Sequence, residues 1–119
     1  MREAELLRRV LVAASKLGSV MFRNTVGFDD ARKIHYGLCK GSADLIGWTK
    51  VKIRPEHVGT TMAVFTAIEV KGDKTRVQSN QQNFIDILHS DGGISLIARG
   101  DKGVAVATDA IRRAMGEEV

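Results

Sequence analysis

The 119-residue chain contains one cysteine, one proline, one tryptophan and one tyrosine. With Cys39 alone no internal disulfide can form. A lone cysteine with no evident base partner is expected to be a small buried side chain in a reducing compartment. No apolar run approaches the roughly 18 residues of a membrane span. The opening Met-Arg-Glu-Ala-Glu is acidic and lacks the apolar core of a secretory leader, so none is expected. Lys40-Gly41-Ser42 lacks the spaced upstream glycine of a phosphate-binding P-loop, and no dinucleotide-binding glycine fingerprint occurs. His35, His57 and His89 are scattered, and His35 four residues before Cys39 is half a zinc site at most. Ser42 lacks the strand-to-helix elbow of a nucleophilic serine. These absences predict a soluble, cytoplasmic protein that makes no membrane contact.

Hydrophobic residues make up 44% of the chain and charged residues 27%, a globular balance that predicts a single domain over residues 1–119. The net charge of +4 is unevenly spread. Residues 1–60 hold 11 bases and 6 acids, whereas residues 61–119 hold 7 and 8. A basic half suits a polyanionic partner, and equally a solvated surface of uneven charge.

The hydrophobic pattern predicts an opening helix over 2–17. Leu6, Val10, Ala14 and Leu17 form its stripe, Leu7 and Leu11 widen it, and Gly18 stops it. Residues 19–23 read as a short strand, 24–37 as a polar loop, and 40–48 as a glycine turn feeding an apolar strand. Residues 50–57, with the only proline, read as a connection. Residues 62–71 form the strongest strand, apolar on both faces at first, as for a strand covered on both sides. A helix over 80–90, with Phe84, Ile85 and Leu88 inward, ends at Asp91-Gly92-Gly93. A strand over 94–98, a turn over 100–103, a short strand over 104–107 and a last helix capped by Thr108 complete the order. The expected fold is α/β, a small mixed sheet flanked by helices. Trp48 is read as core or rim packing rather than a base-stacking surface.

The strand over 62–71 ends Ile68-Glu69-Val70-Lys71. Residues two apart on a strand leave the same face, about 7 Å apart. An acid and a base there are costly to desolvate unless they pair, bind something or lie at an edge. Asp44 stands 25 residues before Glu69, at the start of another short strand. If the two strands are neighbours, both carboxylates can converge with Lys71 beside them. Two carboxylates and a backbone carbonyl form a hard, all-oxygen site suited to Mg2+, with Mn2+ as a substitute. Such an ion activates water and neutralises charge on a phosphate, and a neighbouring lysine assists. The alternative is an ion pair at a strand end with Asp44 closing a turn.

Gly41-Ser42-Ala43-Asp44-Leu45-Ile46-Gly47, then Ile68-Glu69-Val70-Lys71, then Gln81 and Phe84 in a helix ending at Gly92-Gly93, together resemble the VRR-NUC (virus-type replication-repair nuclease) domain of the PD-(D/E)xK nuclease superfamily. The likeness runs from the first helix to about Arg99, and its order and spacing are more specific than any one motif. Ala43 stands where the superfamily's name has proline. The resemblance implies a restriction-endonuclease-like core and a Mg2+-dependent DNA endonuclease similar to Holliday-junction resolvases. It would act on branched DNA as a homodimer in phage or bacterial replication, recombination or repair. It makes Asp44, Glu69 and the Val70 carbonyl metal ligands, Lys71 the catalytic lysine, and Gln81 a residue that positions water or phosphate. It also implies an acid in the first helix, matching Glu3 better than Glu5 because the family places it three residues before an apolar position, here Leu6. Arg23, Asn24, Lys40 and Ser42 fall where substrate-facing segments would contact DNA phosphates.

Two other readings stand beside this one. A non-catalytic DNA-binding or nuclease-accessory module could keep the fold, although it has no need for acids facing phosphates. Sequence-specific, restriction-like cutting would require a base-reading element, and none is evident. The stretch after Gly100 matches the family poorly and carries no assigned role.

Overall fold

The computed structural model describes residues 1–118, which form two compact units, Met1–Ile53 and Arg54 onward. Helices and short strands are mixed in the α/β manner expected, but the strands form three two-stranded sheets rather than one mixed sheet.

In the first unit, helix α1 (Glu3–Lys16) is followed by strands β1 (Val20–Arg23), β2 (Gly27–Asp29), β3 (Ile34–Tyr36) and β4 (Leu45–Trp48). Glu3 and Glu5 in the first turn and Lys16 in the last complement the helix dipole. Gly18, at φ +95°, ends the helix in the left-handed region. The half-buried line of α1 is Leu7, Leu11 and Ala14, while Leu6, Val10 and Leu17 are exposed. The stripe is therefore turned from the one the spacing predicts. The packing of α1 against β1 selects one flank of a broad apolar arc.

Strands β1 and β4 pair antiparallel, Val20 opposite Trp48 and Arg23 opposite Leu45. The Phe22 and Trp48 rings lie 5.6 Å apart, and Trp48 is buried, a core rather than a rim residue. Gly47 is obligatory here: a Cβ would stand 1.8 Å from the Val20 carbonyl oxygen.

The segment expected to be loop, 24–37, contains the β2–β3 hairpin, with Gly27 opposite Tyr36 and Asp29 opposite Ile34. Strands of three residues are too short to show an alternating pattern, so the hairpin is made by its turn. Asp29 Oδ1 accepts the Ala31 and Arg32 N–H groups at 3.0 and 3.2 Å, and Lys33 takes a positive φ of 56°. Cys39 is exposed rather than buried, since it belongs to a surface turn closed by Ser42.

In the second unit, a 3-10 turn (Pro55–His57) precedes strand β5 (Thr66–Lys71), helix α2 (Ser79–Ser90), strand β6 (Ile94–Arg99), a second 3-10 turn (Gly100–Lys102) and helix α3 (Gly103–Ala114). Strands β5 and β6 are parallel, Thr66 opposite Ile94 and Lys71 opposite Arg99, with α2 as the crossover. The strand starts at Thr66 rather than Met62 because its partner starts at Ile94. Immediately before Ile94 lies the glycine turn, and the Ile94 N–H is given to the Phe65 carbonyl.

Only one face of β5 is covered. Ala67, Glu69 and Lys71 are half-buried, whereas Thr66, Ile68 and Val70 face solvent, Val70 at 75% exposure. Leu88 of α2, fully buried, packs so closely on Gly93 that a Cβ there would lie 2.2 Å from Leu88 Cδ1. The Ser95 hydroxyl donates to the Ile85 carbonyl at 2.7 Å and ties α2 to β6.

The residues expected to form a strand, 104–107, lie inside α3. Gly103, Ala107, Ala110 and Ile111 recur at helical spacing and turn inward, while Val104 and Val106 face solvent. Four alanines outweigh two β-branched valines once that face is covered by β6. Thr108 is therefore interior, its hydroxyl donating to the Ala105 carbonyl at 3.2 Å instead of capping an end.

Candidate active site

Two groupings of the sequence-predicted residues form, one in each unit. In the second unit, β5 projects Glu69 and Lys71 from its covered face. Lys71 Nζ lies 3.5 Å from Glu69 Oε1, with the lysine side chain 9% exposed and the glutamate side chain 33% exposed. The first turn of α2 brings Gln81 to the same oxygen, and Gln81 Nε2 donates to Glu69 Oε1 at 3.1 Å. The other end of that amide is occupied as well, because Gln81 Oε1 accepts the Gln78 N–H at 3.1 Å. Gln81 thus satisfies an orphan donor at the helix start and orients the carboxylate across from it. Both contacts fall on Oε1, so Oε2 is the oxygen left for a ligand.

Ala67, Glu69, Asn80, Gln81 and Phe84 line a cleft of about 230 Å3 beside this cluster. Asn80 adds an amide to the wall and was not singled out from sequence. Its position directly before Gln81 in a polar helix start was the available signal. Arg99 was also missed. From the end of β6, in register with Lys71, its Nη1 donates to the Gly72 and Thr75 carbonyls at 2.9 and 2.7 Å, with Asp73 O at 3.4 Å. It therefore fixes the loop that leaves the lysine. Val70, between the acid and the lysine, turns its side chain to the opposite face.

In the first unit, Asp44 lies directly before β4 and is exposed. Its carbonyl accepts the Asn24 N–H at 2.8 Å, which continues the β1–β4 ladder by one step. Asn24 is buried, and its side chain bonds to Leu38, Ser42 and Ala43. The Ser42 hydroxyl donates to the Cys39 carbonyl at 2.6 Å. Both side chains are thus committed inside the loop, whereas Arg23, at the end of β1, and Lys40 are exposed. Glu3 and Glu5 both lie in the first turn of α1, and Glu5 pairs with Arg9 at 2.9 Å.

Among the described residues no three His, Cys, Asp or Glu side chains gather as a ready-made metal cluster. Mg2+ does not require one. It is held by one or two carboxylates and keeps several waters. Glu69 Oε2 in the second unit, and separately the exposed Asp44 carboxylate in the first, are each oxygen donors of the kind a hard cation takes.

The end of β5 thus sets a carboxylate beside an ammonium whose side chain is nearly out of solvent, with an amide from the crossover helix holding the carboxylate. The match to known families is specific: residues 14–102 match the VRR-NUC domain, and the chain belongs to that family. Its function is accordingly of the nuclease type, and DNA is the substrate such a domain implies. The match leaves Glu3 and Glu5 outside it. No curated protein and no solved structure matches the chain.

Proposed function

We propose that this protein is a Mg2+-dependent DNA endonuclease with a preference for branched DNA, resembling a Holliday-junction resolvase, and that it acts as a homodimer in replication, recombination or repair in a bacterial cell or a phage-infected host. The observation that carries this reading is the convergence of Lys71 and Gln81 on one oxygen of Glu69, in a chain of the VRR-NUC family. Asp44, Glu69 and the Val70 carbonyl would hold the cation, with Glu3 as a further acid. When bound, the ion would acidify a water and offset charge on the scissile phosphate.

The remaining roles belong to the chain's own groups. Gln81 holds Glu69 in one orientation, so its free oxygen is presented rather than searched for. Lys71, as the ammonium paired with Glu69, orients the attacking water, whose proton passes to solvent, and places positive charge beside the phosphorane-like transition state. Hydrolysis is then a single displacement by water, with no covalent enzyme intermediate. Arg23 and Lys40 contact phosphates. Two identical sites related by a two-fold axis suit a junction with two strands to cut.

Labelled four-way junction, flap and linear duplex, incubated with Mg2+ and wild type or Asp44→Ala, test the proposal. Cleavage of the junction by wild type alone is expected. Equal binding without cleavage by either protein would instead identify a non-catalytic DNA-binding module, and a fixed cut site on linear duplex would identify restriction-like activity.

A further inference from the structure

Asn24 is the sole polar or charged residue among the described ones to be buried, at 9% exposure. Its hydrogen-bonding capacity is spent on a single loop. Its backbone N–H donates to the Asp44 carbonyl at 2.8 Å. Its Nδ2 donates to the Ala43 carbonyl at 2.9 Å and to Ser42 Oγ at 2.7 Å, and its Oδ1 accepts the Leu38 N–H at 2.9 Å. The orientation of the amide follows from its neighbours: Leu38 N–H can only donate, and the Ala43 carbonyl can only accept.

Ser42 completes the network. Its hydroxyl has one hydrogen and two acceptor positions. It donates to the Cys39 carbonyl at 2.6 Å and accepts from Asn24 Nδ2 and, at 3.3 Å, from the Cys39 N–H. Gly41, at φ +87°, permits the tight path that brings these groups together.

The consequence falls on Asp44. The carbonyls of residues 43 and 44 belong to the peptide planes on either side of the Asp44 Cα, and both are held by Asn24. Fixing two consecutive planes fixes φ and ψ of the residue between them, and so the direction in which its Cβ leaves the chain. The carboxylate itself remains exposed. An ion-binding acid at the end of a loop would otherwise lose affinity to the entropy of ordering that loop.

We infer that Asn24 is a positioning residue for Asp44: it locks the backbone on both sides of that acid so that a divalent cation meets a carboxylate already aimed. The inference rests on the proposed role of Asp44 as a metal ligand, but its structural half can be read separately. Two measurements on the full chain separate them. The first is 15N relaxation of the Asp44 amide in the absence of metal, in wild type and Asn24→Ala. The order parameter is expected to fall from about 0.85 toward 0.6 or below in the variant, with β1 and β4 amides unchanged. An Asp44 amide as rigid in Asn24→Ala as in wild type overturns the inference.

The second measurement is Mn2+ binding by calorimetry, without DNA. Asn24→Ala is expected to bind about tenfold more weakly than wild type, and its cleavage to recover as Mn2+ is raised. Binding equal to wild type overturns the inference even if Asp44 has loosened. Wild type and Asp44→Ala that bind Mn2+ equally would remove Asp44 as a ligand, and with it the metal-aiming role, whatever the relaxation data show. Should Asn24→Ala unfold, Asn24→Asp gives the same comparison, because it keeps the Leu38 contact and loses both Nδ2 donations.

Discussion

Lys71 Nζ stands 3.5 Å from Glu69 Oε1 on the covered face of β5, and the lysine side chain is nearly out of solvent. Removing the glutamate charge strands that ammonium, whereas removing the lysine leaves a carboxylate that still reaches water. The two partners are thus unequal in their effect on folding. Glu69→Gln is expected to destabilise the second unit by about 2 kcal/mol, less than the ~3–5 of a fully buried pair because Glu69 is 33% exposed. Lys71→Met, of similar length and without the charge, is expected to leave stability within about 1 kcal/mol of wild type or to raise it. Both substitutions are expected to reduce junction cleavage by about 10³-fold or more. Urea denaturation beside a cleavage assay checks the contrast. Lys71→Met that cleaves normally would reduce the lysine to a structural ion pair.

Gln81 serves the start of α2 and Glu69 with the two ends of one amide. Gln81→Ala is expected to lose about 1 kcal/mol at the helix start and about 10–100-fold in cleavage, the usual cost of freeing a metal-site carboxylate from its orienting partner. Gln81→Glu keeps the capping oxygen and sets a second carboxylate against Glu69. It should therefore retain more of the helix-start contribution than Gln81→Ala but cleave no better. Thermal denaturation and single-turnover cleavage of the two variants separate the roles.

What the sequence made legible was fixed by local rules. Glu69 and Lys71 share a face because strand geometry requires it, and α2 begins and ends where its polar start and its glycines place it. The shared face of Glu69 and Lys71 was therefore readable in advance, whereas Gln81 was singled out by the family resemblance rather than by a local rule. What escaped was set by partners distant in sequence. The length of β5 depends on where β6 begins. The β2–β3 hairpin is the exception, missed although its turn is local because strands of three residues show no alternating pattern. The helical state of Val104 and Val106 depends on the cover that β6 gives their neighbours. Asn24 and Ser42 were read by residue type as phosphate contacts. The burial of Asn24 comes with four hydrogen bonds to groups 14–20 residues away, one of them to the half-buried Ser42, which no local pattern reveals.

Arg23 and Lys40 are exposed, in contrast to Asn24 and Ser42 beside them in the chain. If they neutralise phosphates, each substitution to alanine should weaken binding to all DNA forms alike and reduce the slope of log affinity against log salt by about 1. Fluorescence anisotropy with a four-way junction and a linear duplex in Ca2+, over a salt series, reads this directly. An unchanged slope in both variants would remove these residues from the DNA contact surface.

Gly47 and Gly18 differ in what a methyl group would meet, and the difference yields a stability test of the β1–β4 register. At Gly47 an added Cβ falls 1.8 Å from the Val20 carbonyl oxygen and 2.9 Å from the Met21 Cα, backbone atoms that cannot rotate aside. At Gly18 nothing lies within 4 Å, and only the φ of +95° opposes a side chain. Gly18→Ala is expected to cost about 1–2 kcal/mol of backbone strain. Gly47→Ala is expected to cost about 3 kcal/mol or more, because the strands must part to admit the methyl. Trp48, the only tryptophan, lies beside Gly47 in β4 and is buried against Phe22. Its fluorescence during urea titration therefore reports on this sheet. Equal midpoints for the two variants would mean that Met21 and Gly47 do not face each other across the ladder.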